Sequence, residues 1–472
     1  MNETPVDRRN IDTRFRSGLR RMAEAGRICT LADSISADLE TAAMMKQRDG
    51  GPALFFEAVR SFDVPVIGNL LCCQANYEAA FGLDYGALRE LIGQALSNPQ
   101  PPKRVSSGPA QDHVITSNID IGRLLPVLRH TPSDSGRFIT AGIVITRDPE
   151  TKVYNASYHR LQLVGPNRTA IKLDLGRHLR LAVERAQKRG EVLPVVVCIG
   201  TDLSLHQAAA TMGSQMPELA DELAIAGGFC GRPLPVLAAV TQDLVVPAET
   251  EIVLEGVIRP DETVTEGPFV EFIGALASPD AAPTVEITAI THRDKPIYHA
   301  INGYGRETVM LRKYVLEASL LKVLKSACPL VEDVDMSAGG LHRFHAVISI
   351  RKSSPQHEGF QRNVIAAAFG ALKDLDLAIV VDDDIDIRDP HDVEYALATR
   401  MEASRDLMVL PGTRSHEMVR ISDRGVRAKL GIDATVPVGR REEFSRCRFA
   451  DVKIDDSRWS GEAKSLLSRL GA

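Results

Sequence analysis

The chain has 472 residues, of which 44% are hydrophobic and 25% charged, and its formal net charge is −6. These values are typical of a folded globular protein of two or three domains. The acidic balance argues against nucleic-acid binding as the main function, and no apolar run is long enough to span a membrane. The seven scattered cysteines, several of them in apolar runs, indicate free thiols and a cytoplasmic protein.

Residues 1–115 are predicted to form an N-terminal α/β domain. Apolar residues spaced for one helix face occur at Phe15, Leu19 and Met22, and again over residues 87–96. Short apolar runs over residues 53–59 and 64–72 indicate strands. A proline-rich segment over 98–109 then marks a domain boundary.

Residues 116–310 carry mostly strand signals. The predicted strands cover 141–148, 154–165, 169–174, 193–200, 251–257, 284–292 and 296–301. Two short predicted helices, over 204–212 and 218–227, interrupt them. Many short strands joined by Gly and Pro turns favour a barrel-like or sandwich core over a doubly wound sheet.

Residues 311–472 return to alternating strands and helices. The predicted strands cover 341–352 and 378–381, and the predicted helices cover 361–372 and 391–401. Asp389 and Pro390 predict the start of the second helix, because Asp favours the N-cap and Pro the first helical position.

Several common catalytic motifs are absent from the sequence. No G-x-G-x-x-G follows a strand, and there is no P-loop, no G-x-S-x-G nucleophile motif and no H-E-x-x-H zinc motif. The acidic run 382–386 lacks the Gly and Glu that a calcium-binding EF-hand loop requires. An active site in this chain must therefore use other groups.

Two polar segments stand out instead, Asn155–Arg160 and Glu266–Glu271. The second places two carboxylates five residues apart around a Gly-Pro turn and an aromatic residue. If Arg160 meets both acids, the cluster can hold a carboxylate substrate and move a proton. Strict strand alternation would point Asn155 and Arg160 to opposite faces, so we expect a bulge or bend near Ser157.

These segments, with Lys172, Arg177, His178 and Glu222 between them, resemble in order and spacing the UbiD family of prenylated-FMN-dependent reversible decarboxylases. The later segments 381–386 and 399–406 are similar too, and the resemblance extends from about residue 20 to residue 450. It implies an α/β (α+β) fold with an N-terminal α/β domain, a central split β-barrel that binds the flavin, and a C-terminal α/β oligomerisation domain.

The resemblance also implies roles for individual residues. Asn155, His178 and Glu222 match the ligands of a divalent metal, Mn²⁺ or Mg²⁺, which binds the flavin phosphate with K⁺ nearby. The cofactor-binding positions are these three together with Tyr158, His159, Arg160, Lys172 and Arg177. Glu271 matches the catalytic proton donor, Arg160 the residue that holds the substrate carboxylate, and Glu266 the residue that orients Arg160.

The implied reaction is the reversible non-oxidative decarboxylation of an aromatic, heteroaromatic or α,β-unsaturated carboxylic acid. It proceeds through a cofactor–substrate adduct, and a glutamate protonates the product. The family resemblance further implies a homodimer or homohexamer and a flavin prenyltransferase that supplies the cofactor. Two alternatives stay open: a non-catalytic accessory or assembly protein on the same fold, and a metal-dependent hydrolase without flavin.

Two departures from the family pattern concern the pocket. The segment that begins at Met216 is about two residues shorter than usual before Glu222, and Val270 stands where a small Gly is common. Further along the chain, His299 and Arg306 could recognise a second polar group of the substrate or could be structural. The sequence does not specify which carboxylic acid is used.

Overall fold

The computed structural model describes residues 11–174, 177–211, 219–447, 449–450 and 464–470. Met216 and the ends of two predicted helices, at residues 212 and 218, lie outside this part of the chain. Helices are numbered in chain order: α1 (Phe15–Glu24), α2 (Glu40–Gln47), α3 (Gln74–Phe81), α4 (Tyr85–Ser97), α5 (Ile121–Leu124), α6 (His178–Lys188), α7 (Leu203–Ala210), α8 (Glu222–Cys230), α9 (Arg306–Ala327), α10 (Phe360–Ala371), α11 (Pro390–Arg400), α12 (Ala403–Asp406) and α13 (Lys464–Arg469).

The chain forms two compact units. The larger contains residues 1–351 and 359–435, and the smaller contains residues 352–358 and 436–472. Within the smaller unit, Glu358 accepts hydrogen bonds from the Lys352 ammonium group at 3.0 Å and from the Val438 amide at 2.7 Å. The sheets and side-chain clusters described below lie in the larger unit. The domain boundaries near residues 115 and 310 stay a prediction.

A nine-stranded antiparallel sheet forms the centre of the larger unit. Its strands are β5 (His113–Ile115), β6 (Phe138–Ile139), β7 (Ile143–Arg147), β8 (Tyr154–Tyr158), β9 (Leu161–Gly165), β10 (Arg168–Ile171), β11 (Leu193–Ile199), β14 (Ile252–Glu266) and β17 (Asp280–His292). They pair in the order β6-β9-β10-β17-β14-β11-β7-β8, with β5 also on β17. The path ends at β6 and β8 and does not close.

Both faces of the inner strands of this sheet are buried, which explains their continuous apolar runs. Along β11, Val195 and Val197 pack into one hydrophobic core while Val196 and Cys198 pack into another. Each of these four side chains is 0% exposed. A strand with two buried faces needs apolar residues at every position rather than at alternate ones.

Smaller sheets flank the central one. The N-terminal sheet contains β1 (Ile28–Leu31), β2 (Ala53–Phe56), β3 (Val66–Gly68) and β18 (Tyr298–Ala300). A three-stranded sheet contains β4 (Lys103–Arg104), β12 (Pro235–Ala238) and β13 (Val245–Pro247), and a two-stranded ribbon contains β15 (Phe269–Val270) and β16 (Leu276–Ala277).

The C-terminal part contains a mixed five-stranded sheet. Its order is β19 (Val331–Met336), β20 (His345–Ile350), β21 (Leu377–Asp382), β23 (Val426–Ala434) and β22 (Leu407–Arg414). Helices α9 and α10 pack on one face and α11 on the other. The predicted mixture of strands and helices is confirmed, and the fold is a mixed α/β architecture.

Three differences from the predicted elements affect the site. The predicted strand over 154–165 is two strands, β8 and β9, separated at His159 and Arg160. Strands β14 and β17 extend beyond their predicted ends as a paired arm. The 22-residue helix α9 was not predicted, because apolar residues lie all round it and form no single stripe.

None of the helices in the described residues is both long enough and apolar enough to cross a lipid bilayer.

Removing the N-cap of α11 should weaken the C-terminal sheet layer. The Asp389 carboxylate accepts a hydrogen bond from the His391 amide at 2.9 Å, as the sequence predicts. We expect Asp389→Ala to lower the free energy of unfolding by about 1 kcal/mol in urea denaturation. The matched control is Glu394→Ala, an exposed position in the same helix, for which we expect a change within ~0.5 kcal/mol. Equal effects of the two substitutions would contradict the capping role.

Candidate active site

The interruption between β8 and β9 positions Arg160. Up to His159 the chain keeps strand alternation, since the Ser157 hydroxyl contacts both the Asn155 amide oxygen at 3.1 Å and the His159 ring at 3.0 Å. The chain then leaves the β7 edge and pairs, as β9, with β6 and β10. The expected bend therefore exists, two residues after Ser157, and it redirects Arg160.

Arg160 contacts both glutamates of the Gly-Pro turn. Its Nε and Nη2 donate to the two carboxylate oxygens of Glu266 at 2.7 and 2.9 Å, and its Nη1 donates to Glu271. The Glu266 side chain is 0% exposed, Arg160 10% and Glu271 18%. Two of the five guanidinium N–H donors are not used by these glutamates and can donate to a further carboxylate.

The turn between the two glutamates is held by side chains around it. Gly267 has φ +84°, a conformation that favours glycine, and its amide donates to the Gln162 side chain at 2.9 Å. The Val270 amide donates to the Asp134 carboxylate at 3.1 Å. The Phe269 ring lies 5.0 Å from the Arg160 guanidinium carbon, in a cation–π arrangement. These contacts fix where Glu271 emerges from β15.

The electrostatics differ between the members of this cluster. Burial raises the pKa of Glu271, and Arg160 only partly offsets that effect. Burial alone would lower the pKa of Arg160, but the two carboxylates raise it above its ordinary value. The arrangement thus keeps the guanidinium charged and favours a protonated Glu271, a pairing suited to binding an anion and donating a proton.

A second polar cluster lies at the other end of β8. The Glu222 carboxylate, at the start of α8, accepts hydrogen bonds from the Asn155 side chain at 3.1 Å and the Ala156 amide at 3.0 Å. His178, at the start of α6, places its Nδ1 4.0 Å from the same carboxylate. Burial raises the pKa of Glu222 to about 8. Three side chains from three elements thus meet beside an open cleft that Asn155 and His178 line.

The remaining residues singled out in the sequence are distributed between these clusters. His159 bonds the Lys172 carbonyl at 2.9 Å, and burial lowers the pKa of its imidazole. The Lys172 ammonium group instead pairs with the exposed Asp280 at 2.9 Å. Tyr158 points to the opposite face of β8 and hydrogen-bonds His206 of α7. Arg177 directly precedes α6 and His178.

The structure adds residues that sequence inspection did not identify. Gln162 and Asp134 hold the glutamate turn, and His206 holds Tyr158. Gln162 could have been identified from the sequence, because it lies two residues after Arg160 in the predicted strand, where alternate residues share a face. Asp134 lies far away in sequence and had none.

His299 is fully buried, and its Nε2 lies 3.0 Å from a Glu307 carboxylate oxygen. It also packs at 5.9 Å from the Phe15 ring. The Arg306 amide donates to Asp49 at 2.9 Å at the start of α9. The His299 contacts support the structural interpretation of that residue, whereas the Arg306 contact involves its backbone only.

Family models cover most of the chain. The models of the N-terminal, Rift-related and C-terminal domains of 3-octaprenyl-4-hydroxybenzoate carboxy-lyase match residues 19–96, 103–305 and 309–434. Anhydromevalonate phosphate decarboxylase of Methanothermobacter thermautotrophicus is 33% identical over 418 residues, which cover 88% of this chain and 95% of the relative. Gallate decarboxylase of Lactiplantibacillus plantarum is 31% identical over 429 residues, which cover 85% of this chain and 87% of the relative.

Solved structures agree with the matches to the family models and relatives. The UbiD-class enzyme HmfF from Pelotomaculum thermopropionicum, in complex with FMN, matches with a TM-score of 0.88 at 36% identity, covering 92% of this chain and 97% of that one. An evolved dimeric form of HmfF, in complex with prFMN, matches with a TM-score of 0.84 at 35% identity, covering 93% and 97%. The matched domains, the identity over nearly full length and the shared fold together establish that this chain belongs to the UbiD family.

Proposed function

We propose that this protein is a decarboxylase that uses prenylated FMN to remove CO₂ reversibly, without net oxidation, from an unsaturated carboxylic acid. The observation that carries the proposal is Arg160, buried between Glu266 and Glu271 with two N–H donors left over. An acid with a raised pKa beside a fixed cation is what protonation of a decarboxylated carbon requires. The accessory-protein alternative offers no reason to bury three charged side chains together.

The donor types in the chain fit a metal-bound flavin phosphate. The described residues contain no group of three His, Cys, Asp or Glu side chains that could hold a metal ion. In our proposal the three ligands are therefore His178, Glu222 and the side-chain amide of Asn155. Oxygen donors with one imidazole suit Mn²⁺ or Mg²⁺. A buried carboxylate whose pKa is raised to about 8 also favours a nearby cation, which stabilises the ionised form.

The two clusters lie at opposite ends of one chain segment. Five residues separate Asn155 from Arg160, so the chain allows at most roughly 16 Å between them, and the bend at His159 and Arg160 shortens this distance. Asn155, His178 and Glu222 would hold the metal-bound phosphate, and Arg160 would lie near the ring system. His159, Lys172 and Arg177 would provide further contacts, whereas Tyr158 faces the other side of β8. When bound, prenylated FMN supplies the electron sink that loss of CO₂ from an unsaturated carbon needs.

The side chains of the chain then have separate tasks. Arg160 binds the substrate carboxylate through its two remaining N–H donors, and Glu266 holds the guanidinium plane in a fixed direction. Burial raises the pKa of Glu271 and so favours its protonated form, which delivers a proton to the carbon that loses CO₂. Phe269 and the turn around it exclude water from the ion pairs, which strengthens them.

Further components of the proposal come from the family resemblance. They are K⁺ beside the divalent ion, a flavin prenyltransferase as cofactor supplier, a cytoplasmic location and a homodimer or homohexamer. The substrate class is an aromatic, heteroaromatic or α,β-unsaturated acid. The gallate and anhydromevalonate phosphate decarboxylases among the relatives support this breadth, because their names describe different acids.

Replacing Glu271 by Gln tests the proposal directly. The amide keeps the shape but carries no acidic proton, so we expect turnover to fall by about 10²–10⁴-fold while flavin stays bound. The assay is CO₂ release from a panel of carboxylic acids, together with H/D exchange of each product in D₂O. Glu262→Gln is the control, because Glu262 pairs with Arg168 at an exposed site. Undiminished turnover and exchange in Glu271→Gln would refute the proposed mechanism.

Replacing Glu266 by Gln should shift the pH dependence. The negative charge of Glu266 contributes to raising the pKa of Glu271, and Glu266 also competes for Arg160. Its removal should lower the pKa of Glu271, so that the proton donor is lost at lower pH. We therefore expect the alkaline limb of the kcat profile to move to lower pH. An unchanged limb would show that Glu266 does not act on Glu271.

Replacing a proposed metal ligand should leave the protein without its cofactor. We expect Asn155→Ala and His178→Ala, each co-expressed with a flavin prenyltransferase, to be purified with little flavin and little divalent metal. Absorbance spectra and elemental analysis provide the measurement. His113→Ala, at an exposed histidine of β5, is the matched control. Full flavin and metal content in either ligand variant would contradict the assignment.

A further inference from the structure

A pair of adjacent thiols lies outside the clusters described above. Cys72 and Cys73 follow β3, and Cys73 is the N-cap residue of α3. All seven cysteines, each in the described part of the chain, are free thiols. Cys72 is buried, whereas Cys73 is half-buried and has access to solvent.

Both sulfur atoms lie against the same backbone oxygen. The Gly51 carbonyl accepts from the Cys72 thiol at 3.3 Å and lies 3.8 Å from the Cys73 sulfur. Asn76 fixes this arrangement, because its side-chain amide donates to Gly51 at 3.2 Å and to the Cys72 sulfur at 3.5 Å. The pair is therefore a built cluster rather than two separate cysteines.

A cation faces only one of the two sulfurs. The Arg27 Nη2 donates to the Cys73 sulfur at 3.3 Å, while its Nε donates to the Asn76 side-chain oxygen at 2.9 Å. Arg27 is thus oriented by the same asparagine that holds Cys72. A guanidinium beside a sulfur at a helix N-terminus stabilises the thiolate form of that sulfur.

We propose that Cys73 is a modification site, a nucleophilic thiol that reacts with low-molecular-weight disulfides, while its neighbour Cys72 stays a protonated thiol. The Cys73 thiolate attacks one sulfur of the small disulfide, and the S–S bond of that molecule breaks. A mixed disulfide forms on Cys73, and the other half of the small disulfide leaves as a thiolate. Cys73 is oxidised and the small disulfide is reduced, so the step needs no other reactant.

The electrostatic surroundings support this division of roles. The Cys72 thiol, the Asn76 amide and Arg27 lower the pKa of Cys73 to about 6, against the opposing effect of burial. The same contact with Cys73, together with burial, raises the pKa of Cys72 well above its usual range. Two groups of α9 also face the pair: Glu307, which acts on Cys72, and Tyr314, which is near Cys73.

The mixed disulfide should persist. Resolution by Cys72 requires its thiolate, which burial and its high pKa disfavour. Cys72 also follows Leu70 and Leu71, whose amides donate to the Glu307 carboxylate at 2.9 and 3.1 Å. This segment is held firmly, so Cys72 has little freedom to approach a modified neighbour. The expected product therefore carries one small thiol on Cys73.

The test uses the complete native protein with oxidised glutathione as the probe. Modified sites are mapped by peptide mass spectrometry at pH 6 and pH 8, and the exposed Cys447 serves as the internal reference. For an ordinary thiol of pKa ~8.5, the fraction present as thiolate falls about 80-fold from pH 8 to pH 6. We expect the rate at Cys73 to fall only about 2-fold. The proposal would be overturned if glutathione modified only Cys447 at pH 6, or if the modification rate at Cys73 fell steeply from pH 8 to pH 6.

Three variants identify the cause. Cys73→Ser should abolish the adduct that persists at pH 6, and Cys447→Ser should retain it. Arg27→Gln should make the fall at Cys73 between pH 8 and pH 6 several-fold steeper, because the cation is gone. An unchanged slope in Arg27→Gln would refute the role of Arg27. The mapping of the unaltered protein decides the assignment of Cys73 even if a variant fails to fold.

Discussion

The ion pairs of Arg160 are the constraint on which the site depends. Its bidentate partner Glu266 is 106 residues away along the chain, and Glu271 is 111 residues away. Three ionisable groups removed from water are costly unless each is paired and hydrogen-bonded, and leaving the Arg160 cation without a partner would destabilise the fold. The break after β8, the long strand β14 and the supported Gly-Pro turn are all needed for these groups to meet. The chemistry of the site therefore depends directly on the architecture of the central sheet.

Much of the site could be predicted because it depends on local order in the sequence. The carboxylates around the Gly-Pro turn and the polar residues after Tyr154 are unusual enough to identify directly. Alternation required a bend between Asn155 and Arg160, and the structure has one at His159 and Arg160. The strand-rich middle of the chain followed from short apolar runs between turns. The mixed α/β fold was predicted from the helices and strands that alternate in the two terminal parts of the chain and from the family resemblance.

What could not be predicted depends on tertiary contacts. Helix α9 is buried on several sides, so its apolar residues have no 3.6-residue stripe to detect. The arm of β14 beyond Arg259 contains exposed acidic and Thr residues that hide its pairing with β17. Asp134 reaches Val270 only through the folded chain. In all three cases the role of a segment or side chain depends on its contacts in the folded chain rather than on its neighbours in sequence.

The double burial of the central sheet has a consequence for strand register. When both faces are apolar, sliding β7 or β11 by one residue exchanges one set of hydrophobic side chains for another, so hydrophobicity alone does not select the alignment. Polar contacts at the strand ends then help to select the alignment of the strands. The Thr146 hydroxyl donates to the Pro194 carbonyl at 2.7 Å, and Thr146 lies directly opposite Asn155 in the β7–β8 pair. The Thr146 hydroxyl thus favours the observed β7–β11 alignment, and β7 in turn pairs with β8, the strand that carries Asn155 to Glu222.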